Sequence, residues 1–103
     1  MPERRARVLV VDDNPEMATT LAEGLLDHGF DAVALASGAA ATEHLKSNHV
    51  DALVTDLRMP KIDGLALLSL SRSLAPERPV IVMTAFSAID TAVSPSARAP
   101  TTT

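Results

Sequence analysis

Acidic residues close two of the apolar runs in this sequence, and a hydroxyl closes a third. Val10-Val11 leads into Asp12 and Asp13, Val54-Thr55 into Asp56, and Val80-Ile81-Val82-Met83 into Thr84. Carboxylates gathered in one crevice repel each other, so without a counter-ion at least one pKa rises. A hard divalent cation removes that conflict. Magnesium prefers oxygen ligands, keeps several waters, and often takes only one or two carboxylates plus phosphate oxygens. A carboxylate beside such an ion can attack a phosphoryl group and form an aspartyl phosphate, and the Thr84 hydroxyl can donate to an oxygen of that group. Plainer roles fit the same residues one at a time. Asp13 and Asn14 before Pro15 can cap a helix, Asp56 can be a loop acid, and Thr84 can cap whatever helix follows.

For these residues to meet, the runs that carry them must be parallel strands. Arg7 to Val11 is β-branched and apolar without alternation, as expected of a strand covered on both faces. Ala52-Leu53-Val54 and Val80 to Met83 read the same way, and Ala32-Val33-Ala34-Leu35 is a weaker version suited to a sheet edge. Helical patterns separate the strands. Pro15 sits in the first turn of one helix, Met17, Leu21 and Leu25 recur along it at four-residue intervals, and Gly29 closes it. A second helix is expected from about Gly38 to Ser47 with Ala41 and Leu45 buried. A third runs from about Leu65 to Leu74 and is stopped by Pro76. A fourth should begin near Ser87. Strands alternating with helices of this length give βαβ units and a doubly wound parallel sheet. Ligands of such sheets bind beyond the carboxyl ends of the strands, where Asp12, Asp13, Asp56 and Thr84 all fall.

Composition narrows the function classes. The chain has 103 residues, enough for one core, and no apolar run near the length of a membrane span. The basic start, Arg4-Arg5-Ala6-Arg7, precedes too short an apolar run for a signal peptide and reads as a solvated leader. Cysteine is absent, which excludes disulfides and thiolate metal sites and fits a cytoplasmic location. A formal net charge of -4 argues against direct nucleic-acid binding, and Phe30 and Phe86 are too few for base stacking. His28, His44 and His49 share no ligand spacing and are expected at helix ends or in loops. Gly38 and Gly64 read as helix-start or turn residues, and no phosphate-binding glycine loop exists.

Val-Val-Asp-Asp at 10–13, Thr-Asp-Leu-Arg-Met-Pro-Lys-Ile-Asp-Gly at 55–64 and Val-Ile-Val-Met-Thr-Ala at 80–85 together resemble a response-regulator receiver domain. The resemblance runs from about Arg7 to Val93. The segment from Thr84 to Val93 looks most like the receivers of NtrC-type transcription regulators. Such a resemblance implies a flavodoxin-like fold with strand order 2-1-3-4-5. It implies a phosphoacceptor of a two-component system at Asp56, supplied by a sensor histidine kinase, rather than an enzyme. It further implies magnesium held by Asp13, Asp56 and the backbone carbonyl of Arg58, with Asp12 acting through a water and Thr84 as a switch hydroxyl. Arg58 and Ala85 occupy positions that tune phosphate lifetime in the family. Lys61 lies in the loop after Asp56 and is not the family's conserved lysine.

Beyond Val93 the resemblance stops. A receiver continues into a fifth strand ending in Lys-Pro and a fifth helix, whereas here Ser94-Pro95-Ser96-Ala97-Arg98-Ala99-Pro100 is followed by three threonines. The expected organisation is therefore a truncated receiver at 1–93, about (βα)4, with a non-family tail at 94–103. A single-base deletion in a receiver gene would account for the tail. The family-like run Glu-Ser-Ile-Arg-Lys-Gly-Ala-Tyr-His-Tyr-Leu-Thr-Lys-Pro, read one base out of frame, can be spelled to give Ser-Pro-Ser-Ala-Arg-Ala-Pro-Thr-Thr-Thr and then a stop. A natural short variant or a vector-derived tail is the alternative. Without the lysine and the fifth helix, phosphorylation is expected to be impaired. The fourth strand would become an edge, and loss of the fifth helix would uncover an apolar sheet face, either of which is open to pairing with a second copy. An interaction module that pairs with a kinase or an intact receiver without phosphotransfer is the competing function. An aspartate-nucleophile phosphatase fits poorly, since the acids at 12 and 13 are adjacent.

Overall fold

The computed structural model describes residues 5–84. Four strands and three helices alternate along them: β1 (Arg7–Val11), α1 (Pro15–Asp27), β2 (Asp31–Leu35), α2 (Gly38–Ser47), β3 (Ala52–Asp56), α3 (Gly64–Leu74) and β4 (Val80–Met83). All pairings are parallel, and the strand order is β2-β1-β3-β4. The doubly wound sheet expected from the sequence is thus present, with the small-residue strand β2 at one edge. The helix expected near Ser87 and the segment from Ser94 lie outside the described residues.

Successive side chains of a strand point to opposite faces, and β1 uses both. Val8 and Val10 pack with Ala18 and Ala22 of α1. Leu9 and Val11 turn the other way, into a core with Ala41 and Leu45 of α2, Leu53 of β3 and Leu67 of α3. These β1 residues are nearly or wholly buried, which explains why the strand's sequence shows no polar alternation.

One face was placed differently by periodicity. The i, i+4 series Met17, Leu21, Leu25 suggests the buried stripe of α1, yet Met17 is 48% exposed, and the fully enclosed residues are Ala18 and Ala22. Leu21 and Leu25 flank that pair as partly buried neighbours. The side chains enclosed against the sheet are thus two alanines, with the larger Leu21 and Leu25 at the margin of the contact. In α2, Ala41 and Leu45 are buried as the spacing predicts.

The ends of α1 show how local chemistry fixes the entry to the site. Asn14, not Asp13, is the N-cap: its side-chain oxygen accepts from the backbone N–H groups of Glu16 and Met17 at 3.0 and 3.3 Å. At the other end Gly29 adopts φ of 92°. The Phe30 N–H donates to Leu25 O at 3.0 Å and the Gly29 N–H to Leu26 O at 3.1 Å, the paired bonds of a Schellman closure. Asp63 caps α3 by accepting from the Ala66 N–H at 2.9 Å. The third helix therefore starts at Gly64, one residue before the apolar pattern begins. Arg78 ties the return to β4 in place, donating to Val50 O at 2.9 Å and to the buried Ser71 hydroxyl at 3.0 Å.

Candidate functional site

Strand order reverses between β1 and β3, and the acids stand at that point. Asp12 and Asp13 directly follow β1, and Asp56 is the last residue of β3. The carboxylates of Asp12, Asp13 and Asp56 each offer an oxygen, and these oxygens all lie within 4.8 Å of one another. Asp12 is buried at 8% exposure, Asp56 is half-buried, and Asp13 is exposed. The cluster is therefore open to solvent on the Asp13 side and closed behind Asp12.

Backbone bonds hold these residues in position. The Asp12 N–H donates to Leu35 O at 3.1 Å, which extends the β1–β2 pairing by one residue. Its carboxylate accepts from the Asn14 N–H at 2.9 Å. Asn14 thus starts α1 with its side chain while its own N–H orients an acid. Burial pushes the Asp56 carboxyl above its ordinary value, and the negative charge of Asp12 adds to the rise. The Arg58 N–H opposes it by donating toward the carboxylate, Asp13 raises it further, and the Leu57 N–H lowers it slightly.

Thr84 is the first residue after β4. Asp56 stands opposite Met83 in the β3–β4 register, and the Leu57 N–H donates to Met83 O at 2.7 Å. Thr84 consequently emerges beside the acidic end of β3, exposed. Arg58 is exposed in the loop that follows Asp56, and Ala85 lies outside the described residues. His28 caps α1, His44 is in the last turn of α2, and His49 sits in the loop before β3, where it meets Asp51 at 2.7 Å. None of the three joins the acids in the metal-capable grouping found among the described residues.

The loop from Leu57 to Asp63 carries structure that sequence reading left unassigned. Met59 folds back into the core at 8% exposure, and Ile62 packs against the same cluster. Lys61 has φ of 68°, and the Ile62 N–H donates to Pro60 O at 2.8 Å, so the chain makes a γ-turn there. Gly64 is buried with its N–H donating to Leu57 O at 2.9 Å. A Cβ on Gly64 would stand 2.9 Å from Leu57 Cα and 3.1 Å from the Asp56 carbonyl carbon. Glycine at 64 is thus required by close approach to the backbone of Asp56. The Pro60 and Gly64 pair signals a turn in sequence, but its contact with Asp56 needs the fold to be seen.

A parallel doubly wound sheet with clustered carboxylates at its switch point defines an α/β domain whose oxygen donors gather where such sheets bind ligands. Comparison with known proteins narrows this class. Residues 8–97 match the family profile of the response regulator receiver domain, and the chain belongs to that family. Over 91 residues it is 42% identical to the DNA-binding transcriptional regulator NtrC of Escherichia coli, a match that covers 88% of this chain and 19% of NtrC. It is 36% identical over 88 residues to the transcriptional regulatory protein PrrA of Mycobacterium tuberculosis, covering 85% of this chain and 38% of PrrA. The chain therefore spans well under half the length of these relatives. Among solved structures, the response regulator TrrA of Thermotoga maritima in complex with Mg(2+)-BeF superposes with a TM-score of 0.74 at 32% identity, over 80% of this chain and 71% of that one. A response regulator receiver protein from Pseudomonas putida gives 0.72 at 32% identity, over 81% and 70%. Among the described residues no helix is long and apolar enough to cross a membrane.

Proposed function

We propose that this chain is a cytoplasmic phosphoacceptor module of a two-component system, with Asp56 as the residue that receives the phosphoryl group. The observation that carries this reading is the gathering of Asp12, Asp13 and Asp56 within 4.8 Å at the carboxyl ends of β1 and β3. The donor set, hard oxygens on a partly open cluster, suits a magnesium ion. Asp13, Asp56 and the Arg58 backbone carbonyl would hold it, with Asp12 acting through a water. When bound, the ion offsets charge on the transferring oxygens and on the crowded acids.

The transfer itself is a displacement at phosphorus. An oxygen of the Asp56 carboxylate forms the new P–O bond while the P–N bond to a phosphohistidine of a sensor kinase breaks, and the imidazole leaves with the electron pair. The Thr84 hydroxyl, emerging next to Asp56, donates to a phosphoryl oxygen once the group has arrived. A small phosphoramidate can replace the kinase in a test. Incubation of the chain with phosphoramidate and magnesium should add one phosphoryl group only slowly by intact mass, as expected without the fifth-strand lysine, and Asp56→Asn should not gain it at all. Equal labelling of the variant would overturn the assignment of Asp56.

A further inference from the structure

We propose that Gly38, at the start of α2, is a positioning residue for the cation site: by lacking a side chain it lets Ile62 and the loop behind Asp56 close to the position that the site requires. The proposal rests on the reading of the acidic cluster as a cation site, and adds a residue from a different helix that touches neither acid nor ion. Gly38 is buried. A Cβ built on it would lie 2.6 Å from Ile62 Cβ and 2.9 Å from Ile62 Cγ2, and against the Ile62 carbonyl oxygen. The obstructing atoms include backbone and Cβ, so no change of Ile62 rotamer relieves the overlap.

Neither partner in this contact yields easily. Helix α2 is fixed by Ala41 and Leu45 in the core and by its Ser37 cap, whose hydroxyl accepts from the Ala40 N–H at 3.1 Å. The loop is joined to the site by short links. Ile62 is bonded to Pro60 across the γ-turn at Lys61, and two residues later Gly64 bonds Leu57 O and packs on the Asp56–Leu57 backbone. Between those points lies Arg58, whose N–H meets the Asp56 carboxylate. A push at Ile62 is therefore passed to Arg58 and to the Leu57–Gly64 contact, and the fit of Gly38 under Ile62 sets how closely the loop surrounds the acids.

The full chain can be titrated with Mn2+, read by the electron paramagnetic resonance of the free ion and competed with Mg2+. Gly38→Ala should weaken Mn2+ binding about tenfold, as loss of an outer-shell support does. Ile62→Gly alone loosens the same contact and should also weaken binding, and the double variant should not recover, because the Ile62 carbonyl oxygen still stands against the added Cβ. Urea unfolding on the same samples separates a merely structural role, which lowers the urea midpoint and leaves the Mn2+ affinity of the fully folded variant unchanged. Wild-type binding by Gly38→Ala overturns the positioning role and leaves the cation site standing. No Mn2+ binding by the wild-type chain overturns both. Should Gly38→Ala fail to fold, Ile62→Gly decides: unchanged affinity overturns the proposal, weakened affinity supports it.

Discussion

Replacing Asp12 by asparagine should make the protein more stable in the absence of divalent cations and less responsive to them in their presence. The Asp12 and Asp56 oxygens lie within 4.8 Å of each other. Two unit charges at that distance repel by about 0.9 kcal/mol in bulk water and by about 3.5 kcal/mol at an effective dielectric of about 20. Asp12 is buried and Asp56 half-buried, so the interaction falls between those limits. Asparagine keeps an oxygen to accept the Asn14 N–H, now bonded at 2.9 Å, so the loss of charge is separated from the loss of the bond. A net gain of about 1–2 kcal/mol at pH 7 and low salt follows, after allowance for screening. For a domain of this size each kcal/mol moves Tm by roughly 4–8 °C. The assay is urea unfolding followed by circular dichroism, with EDTA and with excess magnesium. Wild type should be the less stable protein in EDTA and should gain more from magnesium, because a ligand that binds only the folded state stabilises it by RT ln(1 + [L]/Kd), which is larger for the tighter site. If Asp12→Asn is no more stable than wild type in EDTA, the acids are not coupled as the geometry requires.

The pH dependence carries the same electrostatics with a definite sign. Because the Asp56 carboxyl is raised in the folded state, the folded chain binds more protons than the unfolded one in that window, and Asp56 lowers stability as pH climbs from the ordinary carboxylate value through the raised one. Wild type should therefore lose stability relative to Asp56→Asn over that range when both are unfolded in EDTA, and a constant difference would contradict the raised pKa. Asn14→Ala should cost about 1 kcal/mol by removing the cap of α1, read as a lower urea midpoint with unchanged slope. The buried face of α1 is tested by a pair of variants: Ala18→Leu should cost about 1–3 kcal/mol by overpacking, whereas Met17→Ser should change stability by less than about 0.5 kcal/mol.

Strand-ending acids made the site legible before any coordinates, since a parallel sheet must bring Asp12, Asp13 and Asp56 to one edge whatever its side chains do. The central strands were legible for a similar reason: β1 and β3 are buried by both helical layers, and burial on two faces leaves an apolar run that needs no periodicity. Helix faces were less so. Met17 matched the stripe of Leu21 and Leu25, but the contact is decided by how two layers pack, and Ala18 and Ala22 are the residues enclosed against β1. The roles of Gly38 and Gly64 were the hardest to read. Both look like ordinary helix starts, and what excludes a side chain there is backbone brought from 24 residues away in one case and from the preceding loop in the other. Such distances are set by packing, which no local pattern records.

Phosphotransfer to Asp56 is the central claim, and the acyl phosphate itself can be located. Treatment with phosphoramidate and magnesium, reduction with borohydride, and peptide mass spectrometry converts a phosphorylated aspartate to homoserine at its own position. Homoserine at position 56, dependent on magnesium and abolished by EDTA, is the predicted result. Homoserine at another acid, or none at 56 in folded protein, would contradict it.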